Sequence, residues 1–156
     1  MRIPLTELKA LTEKALSNYG YNEQEIKIIT DVLLYAQMRG NNQGIVKLIG
    51  RGIPNGADGE IETLKETKVS ALLDAHQNHA MVSISKASDT AIQKAKESGI
   101  AVIGVNGINI LPLVPLVFML VKSPEKGLSA WSSLRPWEQW PPRAPMRQFS
   151  APILSL

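Results

Sequence analysis

The sequence contains no cysteine. That excludes a disulfide framework, thiolate catalysis and any metal centre built on thiolates. No long hydrophobic run is present either: the longest apolar stretch, Ile110–Val121, carries Pro112 and Pro115 and is too short to span a bilayer. Glu7 and Glu13 interrupt the N-terminal segment MRIPLTELKALTEK, so it does not read as a signal peptide. These absences set the expectation of a cytoplasmic protein with no membrane partner.

An excess of one charge is also missing from most of the chain. The formal net charge is +3, yet residues 1–107 hold twelve basic and twelve acidic side chains. A neutral body offers no basic face for counterion release, which argues against nucleic acid as a partner. The whole excess lies beyond Gly107, in Lys122, Lys126, Arg135, Arg143 and Arg147 against Glu125 and Glu138. The same tail holds eight of the ten prolines and all three tryptophans. Composition therefore divides the chain into an N-terminal helical region at 1–54, an incomplete α/β sheet region at 55–107 and an irregular tail at 108–156.

Within the first region, Leu5, Leu8, Leu11, Ala15 and Leu16 recur at helical spacing, with Thr6 as a start and Gly20 as a stop. Asn22 and Glu25 form a capping-box pair. Ile26, Ile29, Val32, Leu33 and Ala36 then make the apolar stripe of a second helix reaching about Arg39. The two helices are expected to pack as a hairpin. NNQGIVKLIGRGI opens a short third helix ended by Gly50–Gly52 and Pro54, and NGADGE is turn material.

Beyond Lys68, VSALLDAHQNHAMVSISKA reads as a strand, a polar bend and a second strand around Ala80–Ile84. SDTAIQKAKESG is a helix with Ala87, Ala91, Ile92 and Ala95 on one face and Gly99 at C′. IAVIGV is expected as a buried strand. Strand, helix and strand in that order predict a crossover unit with one open face. The fold class is α/β: a helical hairpin, then the first strands and crossover helix of a truncated sheet domain. No internal repeat is present.

Two groups of residues could carry chemistry. His76 and His79, the only histidines, form H-x-x-H. No acidic residue stands at a third-ligand spacing, so no metal site is expected; solvent-facing or backbone-bonded histidines fit better, with Asp74 close enough to orient one of them. The segment RGNNQG, Arg39–Gly44, places amides and glycines beside a basic residue between two helices, a composition suited to a small polar ligand or simply to a capped loop. Lys47 lies one turn beyond Gln43 and could reach an anion in the same place. GIAVIGVNG has glycines but lacks G-x-G-x-x-G and precedes no helix, so it is not a dinucleotide fingerprint.

These segments together resemble the malate/L-lactate dehydrogenase family of NAD(P)-dependent 2-oxo acid reductases. The resemblance runs from about Leu5 to Gly107. It is carried by the two N-terminal helices, by YAQMRGNNQGIVKLI in place of A-x-x-R-G-x-x-S-H-G-x-x-R, and by AIQKAKESGIAVIGVNG in place of A-I-x-K-A-K-x-x-G-I-x-x-V-x-V. It implies NAD or NADP as cofactor, a small 2-oxo or 2-hydroxy acid as substrate, and a homodimer. Carried over position by position, the family's catalytic acid, a His, falls on Gln43. The preceding Ser falls on Asn42 and the carboxylate-binding Arg on Lys47. An amide cannot pass a proton as an imidazolium does, and Lys lacks the planar fork that holds a carboxylate in two places.

The tail departs from the family altogether as written. Shifted by one base, it can be read as family sequence. Among the codons allowed for PLVPLVFML, the choice CCT CTG GTG CCA TTG GTT TTT ATG CTC, read from the last base of each, gives S-G-A-I-G-F-Y-A, similar to the family's stretch after V-N-G. The same shift lets KGLSA encode K-G-L-I-G and APMRQFSAPIL encode the family's S-Y-E-x-I-F-G-T-N-P. A frame change between Gly107 and Pro112 accounts for a tail without periodicity, with isolated Trp131, Trp137 and Trp140 and with prolines that interrupt helices and ladders alike. The expectation is a truncated relative of an oxidoreductase, inactive as this chain and binding no cofactor. Two alternatives remain open: an active full-length oxidoreductase behind a sequence error, or a non-enzymatic module that pairs with an intact paralogue through the N-terminal hairpin.

Overall fold

A computed structural model describes residues 3–42 and 44–109. The tail from Ile110 onward, expected to be out of frame, and the position Gln43 lie outside the described residues.

Helix α1 (Leu5–Asn18) begins one residue before the expected Thr6, behind Pro4 and without a side-chain cap. It stops where Gly20 turns at φ 82°. Of its expected apolar stripe only Leu16 is fully enclosed, with Leu8 and Ala15 half-buried beside it. Leu5 and Leu11 are exposed, because α1 packs chiefly on one neighbour, α2, and a single helix covers only a narrow strip of another.

Helix α2 (Glu23–Met38) starts at the expected capping box. The Asn22 Oδ1 accepts from the Glu25 N–H at 2.9 Å, and Glu25 Oε2 accepts from the Asn22 N–H at 2.9 Å. Each bond satisfies one of the donors that a helix N-terminus leaves unpaired. Ile29, Val32, Leu33, Leu34 and Ala36 are buried, packed between α1 on one side and α3 and α4 on the other. Helix α3 (Ile45–Arg51) buries Ile45 and Leu48 and closes at Gly52, where φ is 70° and ψ 171°. Tyr21 sits nearby, its hydroxyl donating to the Pro54 carbonyl at 3.3 Å. Burial pushes that phenol well above its usual value, with the Glu25 carboxylate adding to the effect.

The sheet has three strands in the order β1-β2-β3. Strand β1 (Glu62–Glu66) was not foreseen: ETLKE is exposed at every position, so no apolar alternation marks it. It runs antiparallel to β2 (Ser70–Asp74) with a register shift between Thr63 and Lys65. Strand β3 (Val102–Asn106) runs parallel to β2, pairing Ser70 with Val102 through Asp74 with Asn106. Helix α4 (Ala80–Ser98) makes the crossover between them.

Two expectations are corrected. The strand expected at Ala80–Ile84 is instead the first turns of α4. Ala80 through Ser85 are all buried, so this part of the helix shows no polar face, and an enclosed helical run cannot be told from a strand by periodicity. Strand β3, expected as buried, is half-buried in its centre and exposed at both ends, since nothing among the described residues lies along its outer edge. Gly99 does take the left-handed C-terminal position of α4, at φ 79°.

The main core gathers Leu16, Ile29, Val32, Leu33, Ile53, Met81 and their neighbours between the helices. A smaller cluster of Ala71, Leu73 and Ala87, with Ile103 and Val105 against it, joins α4 to the sheet. Lys94 pins the far end of that helix, donating to the Thr67 carbonyl at 2.7 Å and lying 2.8 Å from a Glu66 carboxylate oxygen.

Candidate functional site

The loop from Arg39 to Gly44 links the C-terminus of α2 to the start of α3, the place its glycines and amides suggested. Arg39 ends α2; its guanidinium stacks 3.5 Å from the centre of the Tyr35 ring and donates to the Tyr35 carbonyl at 3.3 Å. Gly40 turns the chain at φ 66°. Gly44 is required for another reason: a Cβ there would come within 2.7 Å of the Gln37 backbone nitrogen. Two segments of main chain therefore pass in direct contact, which sets the take-off of α3. Beneath this crossing, Gln37 Oε1 is buried and has no hydrogen-bond partner among the described residues.

Asn42 is exposed on the loop, and Lys47 is half-buried in the first turn of α3. The Lys47 N–H bonds back to the Gly44 carbonyl at 3.0 Å. The fold thus keeps Asn42 and Lys47 on one short loop–helix unit, next to position 43. It does not enclose them. Neither of the two principal clefts borders them: one lies between α1 and α2, and the other, of about 680 Å³, is lined by Asn22, Glu25, Asn55, Asn78, Ser85 and Asp89. The loop is also one residue shorter than R-G-x-x-S-H-G, a departure beyond the changes of residue type.

The two histidines do not converge. His79 is 2% exposed and caps α4, its Nδ1 accepting the Met81 N–H at 3.2 Å. His76 faces outward, its Nε2 3.2 Å from Glu62 Oε1 and its Nδ1 3.8 Å from Asp58 Oδ1. The Glu62 hydrogen bond raises its pKa above the usual imidazole value; desolvation opposes it, and the Asp74, Glu62 and Asp58 charges add to the rise. Asp74 does orient this residue, but through the main chain: its Oδ1 accepts the His76 N–H at 3.0 Å. No group of three or more potential metal-ligating side chains occurs among the described residues.

The polar bend expected after the strand is present and carries His76; its left-handed geometry is what the sequence did not announce. His76 and Gln77 both take positive φ, 44° and 55°, at the C-terminal end of β2. Asn78 holds the turn from inside, its Nδ2 donating to the Gly59 carbonyl at 2.7 Å and to the Ala75 carbonyl at 2.8 Å. The Gln77 N–H reaches the Gly107 carbonyl at 2.8 Å. The ends of β2 and β3 are thereby tied together where open α/β sheets commonly bind ligands. Strand-end turns lacking glycine give no composition signal for such geometry.

A helical layer on a part-parallel sheet, with a polar loop between α2 and α3, places the chain in the α/β class. The chain belongs to the malate/L-lactate dehydrogenase family, which it matches over residues 3–113. It is 32% identical over 111 residues to a malate dehydrogenase of Pyrococcus abyssi, covering 67% of this chain and 31% of that protein. It is also 32% identical over 112 residues to a malate/(S)-sulfolactate dehydrogenase of Methanothermus fervidus, covering 68% and 33% of the two chains. In fold it is similar to the crystal structure of malate dehydrogenase from Entamoeba histolytica, with a TM-score of 0.70 at 19% identity over 81% of this chain and 37% of that one. The chain therefore spans about one third of the length of these curated relatives. No helix among the described residues is long and apolar enough to cross a membrane.

Proposed function

We propose that residues 3–109 form the substrate-gripping portion of an oxidoreductase that interconverts 2-hydroxy and 2-oxo acids, and that this chain does not itself carry out hydride transfer. Asn42 offers an amide and Lys47 a positive charge to the carboxylate of a small 2-oxo acid. Gln43, at the position of the family's acid, supplies hydrogen bonds and no transferable proton. The observation that carries this reading is the match over residues 3–113 to about one third of each relative's length, with the chemistry-bearing loop left on an open surface.

NAD or NADP is the hydride donor that the resemblance implies. The larger of the two clefts described above is poorly suited to it. The larger cleft is lined by Glu25, Glu60 and Asp89, carboxylates that repel a diphosphate. Its one cation, Lys86, is engaged with the Ile61 carbonyl at 2.7 Å. No glycine-rich turn leads into a helix there. No step through the cofactor is derived for this chain, and a cytoplasmic setting fits its lack of cysteine.

The same reading takes residues 108–156 as family sequence read out of frame, after an in-frame helical region at 1–54 and sheet region at 55–107. Translating the coding nucleotides in all frames tests it. A shifted frame that runs on through the family blocks supports the proposal; one that stops at once or lacks them sinks it. For activity, the purified chain with pyruvate or oxaloacetate should oxidise neither NADH nor NADPH above blank. Measurable turnover would overturn the inactive reading.

A further inference from the structure

Two Asn-Gly dipeptides occur in the chain, Asn55–Gly56 and Asn106–Gly107. An asparagine followed by glycine is the setting most prone to lose its side-chain amide: the glycine nitrogen can attack the side-chain carbon with no Cβ in the way and close a cyclic succinimide. The fold treats the two dipeptides differently. Asn106 is the last residue of β3 and pairs with Asp74 of β2. Its carbonyl accepts the Ala75 N–H at 2.9 Å, and the Gly107 carbonyl accepts the Gln77 N–H at 2.8 Å. Ring closure requires the peptide between Asn106 and Gly107 to rotate, which strains both bonds. No such bonds hold the other dipeptide. Among the described residues neither the Asn55 carbonyl nor the Gly56 N–H takes part in a main-chain hydrogen bond, and Gly56 is exposed. The loop is anchored on either side instead, by the Tyr21 hydroxyl on the Pro54 carbonyl and by the Asp58 N–H on the His76 carbonyl at 3.0 Å. Both anchors lie outside the peptide that must rotate.

We propose that Asn55 is a site of spontaneous deamidation, assisted by the main-chain N–H of Ala57. The Asn55 Oδ1 accepts that N–H at 3.1 Å, an Asx turn that curls the side chain over its own following peptide and brings Cγ toward the Gly56 nitrogen. That nitrogen gives its proton to solvent base and bonds to Cγ. Negative charge then gathers on Oδ1, where the Ala57 N–H is already aimed. The Cγ–Nδ2 bond breaks and ammonia leaves with a proton from water. A second water opens the succinimide at either carbonyl, giving aspartate or isoaspartate. The sum is water consumed and ammonia released, with nothing oxidised or reduced.

The product alters the larger cleft, which Asn55 lines. The Asn55 Nδ2 donates to the Gly20 carbonyl at 3.2 Å and so ties the loop to the turn between α1 and α2. A carboxylate has no proton to donate; the tie is lost and two oxygens face each other. The new charge also joins Glu25, Glu60 and Asp89 on the wall of the cleft, where like charges repel. Conversion is slow and irreversible, so it records the age of a folded molecule and loosens one wall of the cleft as it proceeds. This inference does not depend on the chain's activity.

The test ages the purified full chain in mildly alkaline buffer and follows both sites by peptide mapping with mass spectrometry, scoring isoaspartate by enzymatic methylation. In the folded chain Asn55 should convert several-fold faster than Asn106, whereas in urea, with the strand pairing gone, the two rates should be alike. Ala57→Pro removes the assisting N–H; it should slow conversion at Asn55 in the folded chain and leave the rate in urea unchanged. Asn55→Asp, the product made directly, should melt below the parent chain. Should Ala57→Pro not fold, the parent's two sites compared in and out of urea decide alone. Equal folded-state rates at the two sites, or faster loss at Asn106, would overturn the proposal. So would a folded Ala57→Pro chain that converts at Asn55 as fast as the parent.

Discussion

At the scale of single residues, His76 shows how geometry replaces the role its spacing suggested. H-x-x-H resolves into one imidazole that caps a helix and one that clasps Glu62 and Asp58 across a turn. Since the contact with Glu62 raises the folded-state pKa, its stabilisation is complete below the unfolded histidine value of about 6.5. It is lost as pH rises through the higher folded value. The parent chain should therefore melt progressively lower from about pH 6 upward through that range, while His76→Gln should show a flatter profile by differential scanning calorimetry. An identical pH dependence in both proteins would remove His76 from the account. The spacing of the two histidines was legible in the sequence; their opposite orientations were not, because they follow from two consecutive left-handed residues that no glycine advertises.

Among the elements, legibility follows from how each is covered. Helix α2 was readable in full, since it has a polar face, a capping box and a regular stripe. Removing the cap by Asn22→Ala should cost about 1 kcal/mol in a urea titration. Helix α4 was half misread because its N-terminal turns are enclosed on all sides. Strand β1 was missed because an exposed charged edge has no pattern to read. At the candidate site, the connection between α2 and α3 was legible from its glycines and amides. The close crossing at Gly44 and the buried Gln37 oxygen were not, for they depend on how α3 leaves α2.

For the whole molecule, the relevant fact is that α4 belongs to both clusters of buried residues. Its 19 residues extend about 28 Å at 1.5 Å per residue, well beyond the five-residue strands beneath it. Met81, Val82 and Ile84 lock into the helical core, and Ala87 into the sheet. Since the N-terminal half of α4 contributes to both clusters, neither part opens by itself. Native-state amide exchange should therefore reveal one shared opening free energy for α2, α4 and β2, and protection that differs between helical and sheet amides would separate them. The described residues would then behave as a single cooperative folding unit.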